Sequence, residues 1–449
     1  MNRQVAVVGM GGIFPACQSV EEFSGKIFTN QSLVRRWDEA VVLGKQVRSN
    51  VSGFITLEEA GLSAQWSTIA PGYPDTLLDL RERIPYENLA TSDIGSVWAM
   101  LSSLDAVKTG GWNKQEVESE RTGIAIGSGG GGHSILRPSW NSFFNDGKKS
   151  RALGPHGVGR AMTYRDAANV SCLLKTKGLS ESLGSACATG LGNIGYAYRM
   201  IKYGIQDRMI AGGVEGTSIE TFIGFDAMSI LSRGFEPELS SRPFDKNRSG
   251  FVCSFGAAVV ALEELELAKA RGAEILAVIN GFHANSDGDG NMFAPSYEGQ
   301  KRLWKGLKAD VPGLKPDVVK AHATSTPVGD AIELFSIVSE LGEEGYHISA
   351  PKSQFGHMLG AAGSVEFIVA LQMLKNQKVA PCLNSEELSD TREAMQDLDT
   401  WIGPNNPMAA YRHLIPAHSL EKEINQITCL NYGFGGTNAA MSISKYEGK

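Results

Sequence analysis

Short apolar or small-residue runs alternate along this chain with longer helical stretches. Runs at residues 5–9, 123–127, 182–186, 208–213 and 257–263, then at 275–281, 317–321, 347–350 and 426–430, predict β-strands. The intervening segments include one helix ending near Tyr203, one opened by Pro327 and Asp330, and one running to about Leu374. Strands alternating with helices predict an α/β protein with sheets sandwiched by helices.

Two units share a layout. One is a strand, Ser185-Ala-Cys187, small residues and a long helix; the other is a strand, Phe355-Gly-His357, then Gly360-Ala-Ala-Gly363 and a long helix. This predicts two pseudo-repeated halves, residues 1–265 and 266–449, meeting around residues 265–272 with their reactive groups converging at the junction. Gly190, Gly192 and Gly195 fall at helical spacing and predict a close helix approach, although each costs roughly 1 kcal/mol against Ala. Residues 37–88 and 385–422 read as additions to a minimal core, and loops of that length cap a site or contact a partner.

The chemistry concentrates at three strand-to-helix turns. Cys187 stands at a helix N-terminus, where unpaired N–H groups and the dipole favour a thiolate nucleophile. His322 enters a Thr/Ser-rich turn and His357 precedes a helix; the same dipole disfavours their cationic forms, so both are expected to be neutral donors near pH 7. The other histidines (133, 156, 283, 347, 413 and 418) read as ordinary structural residues.

Four motifs occur together: Ser185-Ala-Cys187-Ala-Thr189; His322-Ala-Thr-Ser-Thr-Pro-Val-Gly-Asp330; Lys352 five residues ahead of His357, with Leu359-Gly-Ala-Ala-Gly363; and Asn431-Tyr-Gly-Phe434-Gly-Gly-Thr437-Asn438. Through most of its length the chain resembles the β-ketoacyl synthases, condensing enzymes of fatty acid and polyketide assembly in the thiolase-like superfamily. Gly224-Phe-Asp-Ala-Met228 and the segment 286–299 look most like the elongating synthase I and II branch, and a Cys-His-His set argues against initiating synthases, which use Cys-His-Asn.

The resemblance implies a thiolase-like fold of two halves in a layered αβαβα architecture. It implies a decarboxylative Claisen condensation in which Cys187 carries the acyl chain and His322 and His357 stabilise the enolate of a malonyl thioester. By the same resemblance Lys352 and Glu333 order the histidines, the N–H groups of Cys187 and Phe434 form the oxyanion hole, Phe434 is a gate, and Thr324 and Thr326 bind phosphopantetheine. Gly130 sits where relatives close the acyl pocket across a dimer interface; Gly192 replaces a larger residue, Tyr432 a Phe and Ala323 a Gly, which touches acyl preference. No cofactor is implied beyond the phosphopantetheine arm of an acyl carrier protein. The chain is expected as a homodimer, or as the active member of a heterodimer with a chain-length subunit. Fatty acid synthesis and type II polyketide or polyene synthesis both fit. A degradative thiolase fits less well, since no second catalytic Cys replaces Phe434; a cysteine hydrolase would cleave thioesters with water and add no malonyl carbon.

Composition narrows the setting. With 449 residues, 42% of them hydrophobic, the chain can bury a large core. A net charge of −7 disfavours nucleic acid and leaves an acidic carrier protein to dock on a local basic patch, with Arg81 and Arg83, or Lys148, Lys149 and Arg151, as candidates. The six cysteines lack metal-type spacing and read as reduced thiols in a cytoplasmic enzyme; residues 5–9 are too short to span a membrane, and no metal site is visible.

Overall fold

The alternating runs resolve into one ten-stranded mixed sheet: β1 (Val5–Ile13), β2 (Thr122–Gly127), β3 (Ser180–Glu181), β4 (Arg208–Glu215), β5 (Gly256–Glu264), β6 (Ala277–Ser286), β7 (Val318–Lys320), β8 (His347–Ser349), β9 (Gln426–Gly433) and β10 (Thr437–Ser444). The structure, a computed structural model, describes residues 3–17, 19–38, 46–55, 84, 88–89, 91–130, 137, 140–141, 143–145, 147, 149–388 and 407–448. His133, Arg81, Arg83, Lys148 and most of the two added segments lie outside the described residues; Lys149 and Arg151 are exposed.

The strand order is β8-β7-β9-β10-β6-β1-β5-β4-β2-β3. Counted from each outer edge inward, the two sets of five strands thus share the internal order third-second-fourth-fifth-first, and they meet at the antiparallel pairing of Val5 with Ile279 and Val7 with Ala277. Directions repeat as well: the outer three strands of each half are parallel and the inner pairings antiparallel. A short helix, Leu265–Ala270, connects β5 to β6.

Helices cover both faces. On the outside, α1 (Ile94–Thr109) packs on β1, β5 and β4, α2 (Arg165–Leu174) on β2, and α4 (Tyr297–Asp310) on β6 and β10 beside α5 (Pro327–Leu341). Between the halves lie α3 (Thr189–Lys202), which touches β2, β4 and β5 on one side and β6 and β10 on the other, and α6 (Ala362–Asn376), which touches β9 on one side and β4 and β5 on the other. The result is five layers, with α3 and α6 in the middle. Every residue of α6 from Ala362 to Leu374 is buried, and although most are apolar, three are polar: Ser364, Glu366 and Gln372.

The two central helices begin alike. Ala186 and Leu359 both adopt φ 47°, each opens a three-residue 3₁₀ turn, and each turn runs straight into α3 or α6. The structural counterpart of Cys187 is therefore Gly360, and His357 lies three residues before it rather than at the equivalent position. The strand expected at 182–186 does not form; the strand here is Ser180–Glu181, just ahead of that run, and Ala186 already belongs to the 3₁₀ turn. Past it the backbone leaves the ladder for side chains of α3: Leu183 N–H donates to Asn193 Oδ1 at 3.1 Å and Ser185 N–H to Thr189 Oγ1 at 2.8 Å. Strand β10, after the glycine turn, is, with β3, one of two strands of the large sheet that the apolar runs had not predicted.

The glycines divide in role. A Cβ at Gly190 would lie 2.6 Å from Ser364 N, and one at Gly363 would lie 2.4 Å from Leu191 N, so the helices cross backbone to backbone at reciprocal positions. Gly195 instead faces the Phe282 ring of β6, and Gly192 faces no other helix; the expectation of helix approach holds for Gly190 alone of the three.

Gly190→Ala and Gly363→Ala are each expected to destabilise the fold by roughly 1–3 kcal/mol, because backbone cannot step aside as a side chain can. Gly192→Ala, whose methyl would meet only the Ser185 hydroxyl at 3.2 Å, is expected to be neutral or stabilising by up to about 1 kcal/mol. Urea denaturation of the three variants separates the cases.

Candidate active site

Cys187 occupies the 3₁₀ turn ahead of α3, pressed against the loop between β9 and β10. Thr437 Oγ1 donates to Ser185 O at 2.8 Å, and a Cβ at Gly433 would lie 2.5 Å from Ser185 O and 3.0 Å from Cys187 N, so glycine is what lets the loop close over the turn. The next residue, Phe434, directs its N–H at the Cys187 sulfur. The sequence led us to expect a thiolate favoured by the helix terminus, and the structure corrects this. Burial, reinforced by Glu215 and Glu366, pushes the Cys187 thiol up to about 12 against the opposing pull of Lys352 and the Phe434 N–H, so the resting side chain is a neutral thiol.

His322 follows β7 in a turn held by Glu333 of α5, whose carboxylate accepts the N–H of His322 and the N–H of Ala323, both at 2.6 Å. These bonds hold Ala323 at φ 32° and precede Ser325 at φ 70°, left-handed conformations that a non-glycine residue adopts at some cost. His357 is fixed by backbone bonds, its N–H to Val252 O at 2.8 Å and its carbonyl accepting from Ser254 N at 2.9 Å. The two imidazole rings lie 5.1 Å apart at an interplanar angle of 89°.

His322 Nδ1 lies 3.2 Å from both Lys352 Nζ and Asn431 Nδ2. Lys352 is buried, also donates to His322 O at 2.5 Å, and forms an ion pair with Glu366 Oε1. Both histidines are driven well below the ordinary imidazole pKa, first by burial and then by the positive charge of Lys352. Their neutrality matches expectation, but its cause differs. His322 stands five residues before α5 begins, so the dipole argument gives way to desolvation and a lysine.

Cys187, His322, His357, Phe434, Thr324 and Thr326 all border one cavity of about 380 Å³. Thr326 makes no side-chain cap to α5, and its hydroxyl sits 3.1 Å from that of Thr324. A second cavity of about 440 Å³ is bordered by Gly130, Glu215 and Leu359. Cys187, Phe434, Phe225 and Met228 border both cavities, so the sulfur lies where they meet. Gly192 borders neither. Glu215 Oε2 accepts the N–H of Gly129 at 3.0 Å and of Gly360 at 3.1 Å, tying the two halves together beside Cys187, and burial lifts its carboxyl to about 8.

Sequence reasoning missed Glu215, Lys320, Glu366 and Asn431 as parts of this site. A glutamate as the one ionisable residue between Ala362 and Leu374 of a mostly apolar helix was the available signal for Glu366, since a buried charge requires partners. Among the described residues there is no group of three or more His, Cys, Asp or Glu that could hold a metal ion, and no helix is long and apolar enough to cross a membrane.

The family model for the β-ketoacyl synthase N-terminal domain matches residues 2–268, and that for the C-terminal domain matches residues 276–386. The chain belongs to the β-ketoacyl synthase family. Among its relatives, the 3-oxoacyl-(acyl-carrier-protein) synthase 1 of Haemophilus influenzae is 33% identical over 99% of this chain and 100% of that one. The synthase 1 of Escherichia coli K12 is 34% identical over 93% of this chain and 97% of its own length. A solved β-ketoacyl synthase from Burkholderia phymatum superposes over 100% of both chains with a TM-score of 0.84 at 29% identity. This synthase therefore has the thiolase-like fold of its family from end to end.

Two measurements probe the electrostatics of this synthase. Alkylation of Cys187 by iodoacetamide, followed peptide by peptide, is expected to rise about tenfold per pH unit between about 7 and 9, since thiolate grows in that proportion below the pKa; a plateau in that range would reveal an acidic thiol. Glu215 binds its proton more tightly folded (about 8) than unfolded (about 4.5), so its contribution to stability falls as pH rises through that window. Glu215→Gln keeps one oxygen for both N–H donors and removes the titration. Its stability relative to wild type is therefore expected to increase from pH ~4.5 to pH ~8 in chemical denaturation.

Proposed function

We propose that this chain is a β-ketoacyl-acyl carrier protein synthase of fatty acid biosynthesis, acting in the cytoplasm, which lengthens an acyl chain by two carbons through decarboxylative Claisen condensation. The observation that carries this reading is the meeting of Cys187, His322, His357 and Phe434 on one cavity, with a backbone N–H aimed at the sulfur. Full-length likeness to synthases named for 3-oxoacyl-(acyl-carrier-protein) chemistry favours it over a polyketide subunit working beside a chain-length partner.

In the first step the Cys187 sulfur attacks the carbonyl of an acyl thioester on the carrier. The thiol proton passes by way of a neutral imidazole to the departing pantetheine sulfur. The N–H groups of Cys187 and Phe434 hold the oxyanion, each such donor lowering the barrier by about 3 kcal/mol. In the second step malonyl carrier occupies the first cavity, where the Thr324 and Thr326 hydroxyls bond the amides of its phosphopantetheine arm. Carbon dioxide leaves, and His322 and His357, donating from neutral rings, stabilise the enolate oxygen. In the third step the enolate carbon attacks the Cys187 thioester; the sulfur leaves as thiolate and takes up one proton per turnover.

Lys352 keeps the histidines unprotonated through its charge, and Glu333 fixes the His322 backbone. The acyl chain lies in the second cavity beyond Phe434, alongside Gly130. Gly192, remote from both cavities, takes no direct part in chain selection. Glycines at 433, 435 and 436 give the Phe434 loop room to swing between substrates.

Intact-mass spectrometry tests this. Wild type mixed with acyl carrier protein is expected to gain one acyl mass that Cys187→Ala does not, and malonyl carrier protein is then expected to discharge it as a β-ketoacyl product. Equal loading of Cys187→Ala, or release of free acid without malonyl carbon in the product, overturns the reading.

A further inference from the structure

Beneath the two histidines lies a cluster that borders neither cavity. Lys320 of β7, Glu366 of α6 and Asn431 of β9 are each fully buried. Lys320 Nζ forms an ion pair with Glu366 Oε2, donates to Leu430 O at 2.5 Å and donates to Asn431 Oδ1 at 3.0 Å, which uses all three of its donors.

The contact with Asn431 has a directional consequence. With its oxygen held by an ammonium, the Asn431 amide turns its NH2 toward His322 Nδ1 at 3.2 Å and Glu366 Oε2 at 3.1 Å. The opposite orientation would set NH2 against the ammonium and oxygen against a carboxylate. His322 Nδ1 therefore accepts, and the single proton of the neutral ring sits on Nε2.

We propose that Lys320, acting through Asn431, is a positioning residue that biases the tautomer of His322 toward the form whose Nε2 is a hydrogen-bond donor. The inference rests on the condensing reading for its purpose, because only the Nε2–H form has a donor on the nitrogen away from this cluster to stabilise an enolate. Lys352 Nζ also faces Nδ1 at 3.2 Å, as the third partner of an ammonium that reaches His322 O and Glu366, and favours the same tautomer. Without Lys320 the Asn431 oxygen loses the ammonium that holds it; Glu366 Oε2 alone then draws the NH2, and the amide turns its oxygen toward Nδ1 more often, raising the share of the opposite tautomer.

The test uses full-length protein labelled with ¹⁵N-histidine, in which nitrogen–proton correlation spectra separate pyridine-type from pyrrole-type nitrogens without substrate; His322→Gln assigns the signal. Wild type is expected to show pyridine-type Nδ1 and pyrrole-type Nε2 at His322. Lys320→Met, which retains the apolar stem and leaves Glu366 paired with Lys352, is expected to shift the ring toward Nδ1–H. Its malonyl decarboxylation is expected to fall about tenfold or more in kcat with KM little changed, while Cys187 acylation stays within about twofold. Asn431→Leu, which leaves the Lys320 bonds to Glu366 and Leu430 in place, gives the same signature should the lysine variant not fold. An Nδ1–H ring in wild type overturns the inference, as does an unchanged tautomer in the folded variants. A wild type that never acylates Cys187 removes the condensing reading instead, and the spectra still decide the tautomer.

Discussion

Everything near Cys187 depends on how closely two helices cross. At Gly190 and Gly363 the backbones of α3 and α6 touch, each glycine facing a backbone nitrogen at the start of the other helix. Closeness at that point sets the two 3₁₀ turns side by side, so that Cys187 from one half and Leu359 from the other border the same cavity. Neighbouring bonds lock the crossing: Ser364 Oγ accepts the Gly213 N–H at 3.0 Å, and Glu215 spans from Gly129 to Gly360. A larger residue at either glycine would separate the halves at the place where their reactive groups meet.

Charge burial is the second organising constraint. Glu366 enters the middle layer as the one ionisable residue between Ala362 and Leu374 of α6 and is held between Lys320 and Lys352, leaving one more positive than negative charge beneath the histidines. Removing ions from water costs several kcal/mol each, so such a cluster persists only when its donors and acceptors are matched, and here the remaining donors reach Leu430 O, Asn431 and His322. The surplus charge then acts on chemistry. It helps keep both imidazoles neutral, and it opposes the burial that otherwise holds Cys187 as a thiol.

The same architecture accounts for two cavities meeting at one sulfur. The β9–β10 loop, narrow because Gly433 abuts the Cys187 turn, places Phe434 across the passage, where its ring faces Phe225 at 6.4 Å and Phe293 at 5.2 Å. One side carries the histidines and Thr324 and Thr326; the other carries Gly130 and Glu215.

The sequence by itself determined the α/β alternation and the repeated strand-turn-helix unit, and it singled out Cys187, His322, His357, Lys352 and Phe434 because each belongs to a short motif, with Glu333 following from the family resemblance. It could not determine what those groups become once enclosed. The thiol of Cys187, read locally as favoured toward thiolate, is neutral because burial outweighs the helix terminus. Gly192 looked like its neighbours Gly190 and Gly195 at helical spacing, and only packing distinguished them. Lys320 read as an ordinary strand position and Asn431 only as the first residue of the Phe434 motif; 111 residues apart, they meet at one carboxylate only because β7 and β9 pair. Motifs record which side chains are present. Protonation, tautomer and cavity walls follow from desolvation and from hydrogen bonds between distant segments, and those arise only in the folded chain.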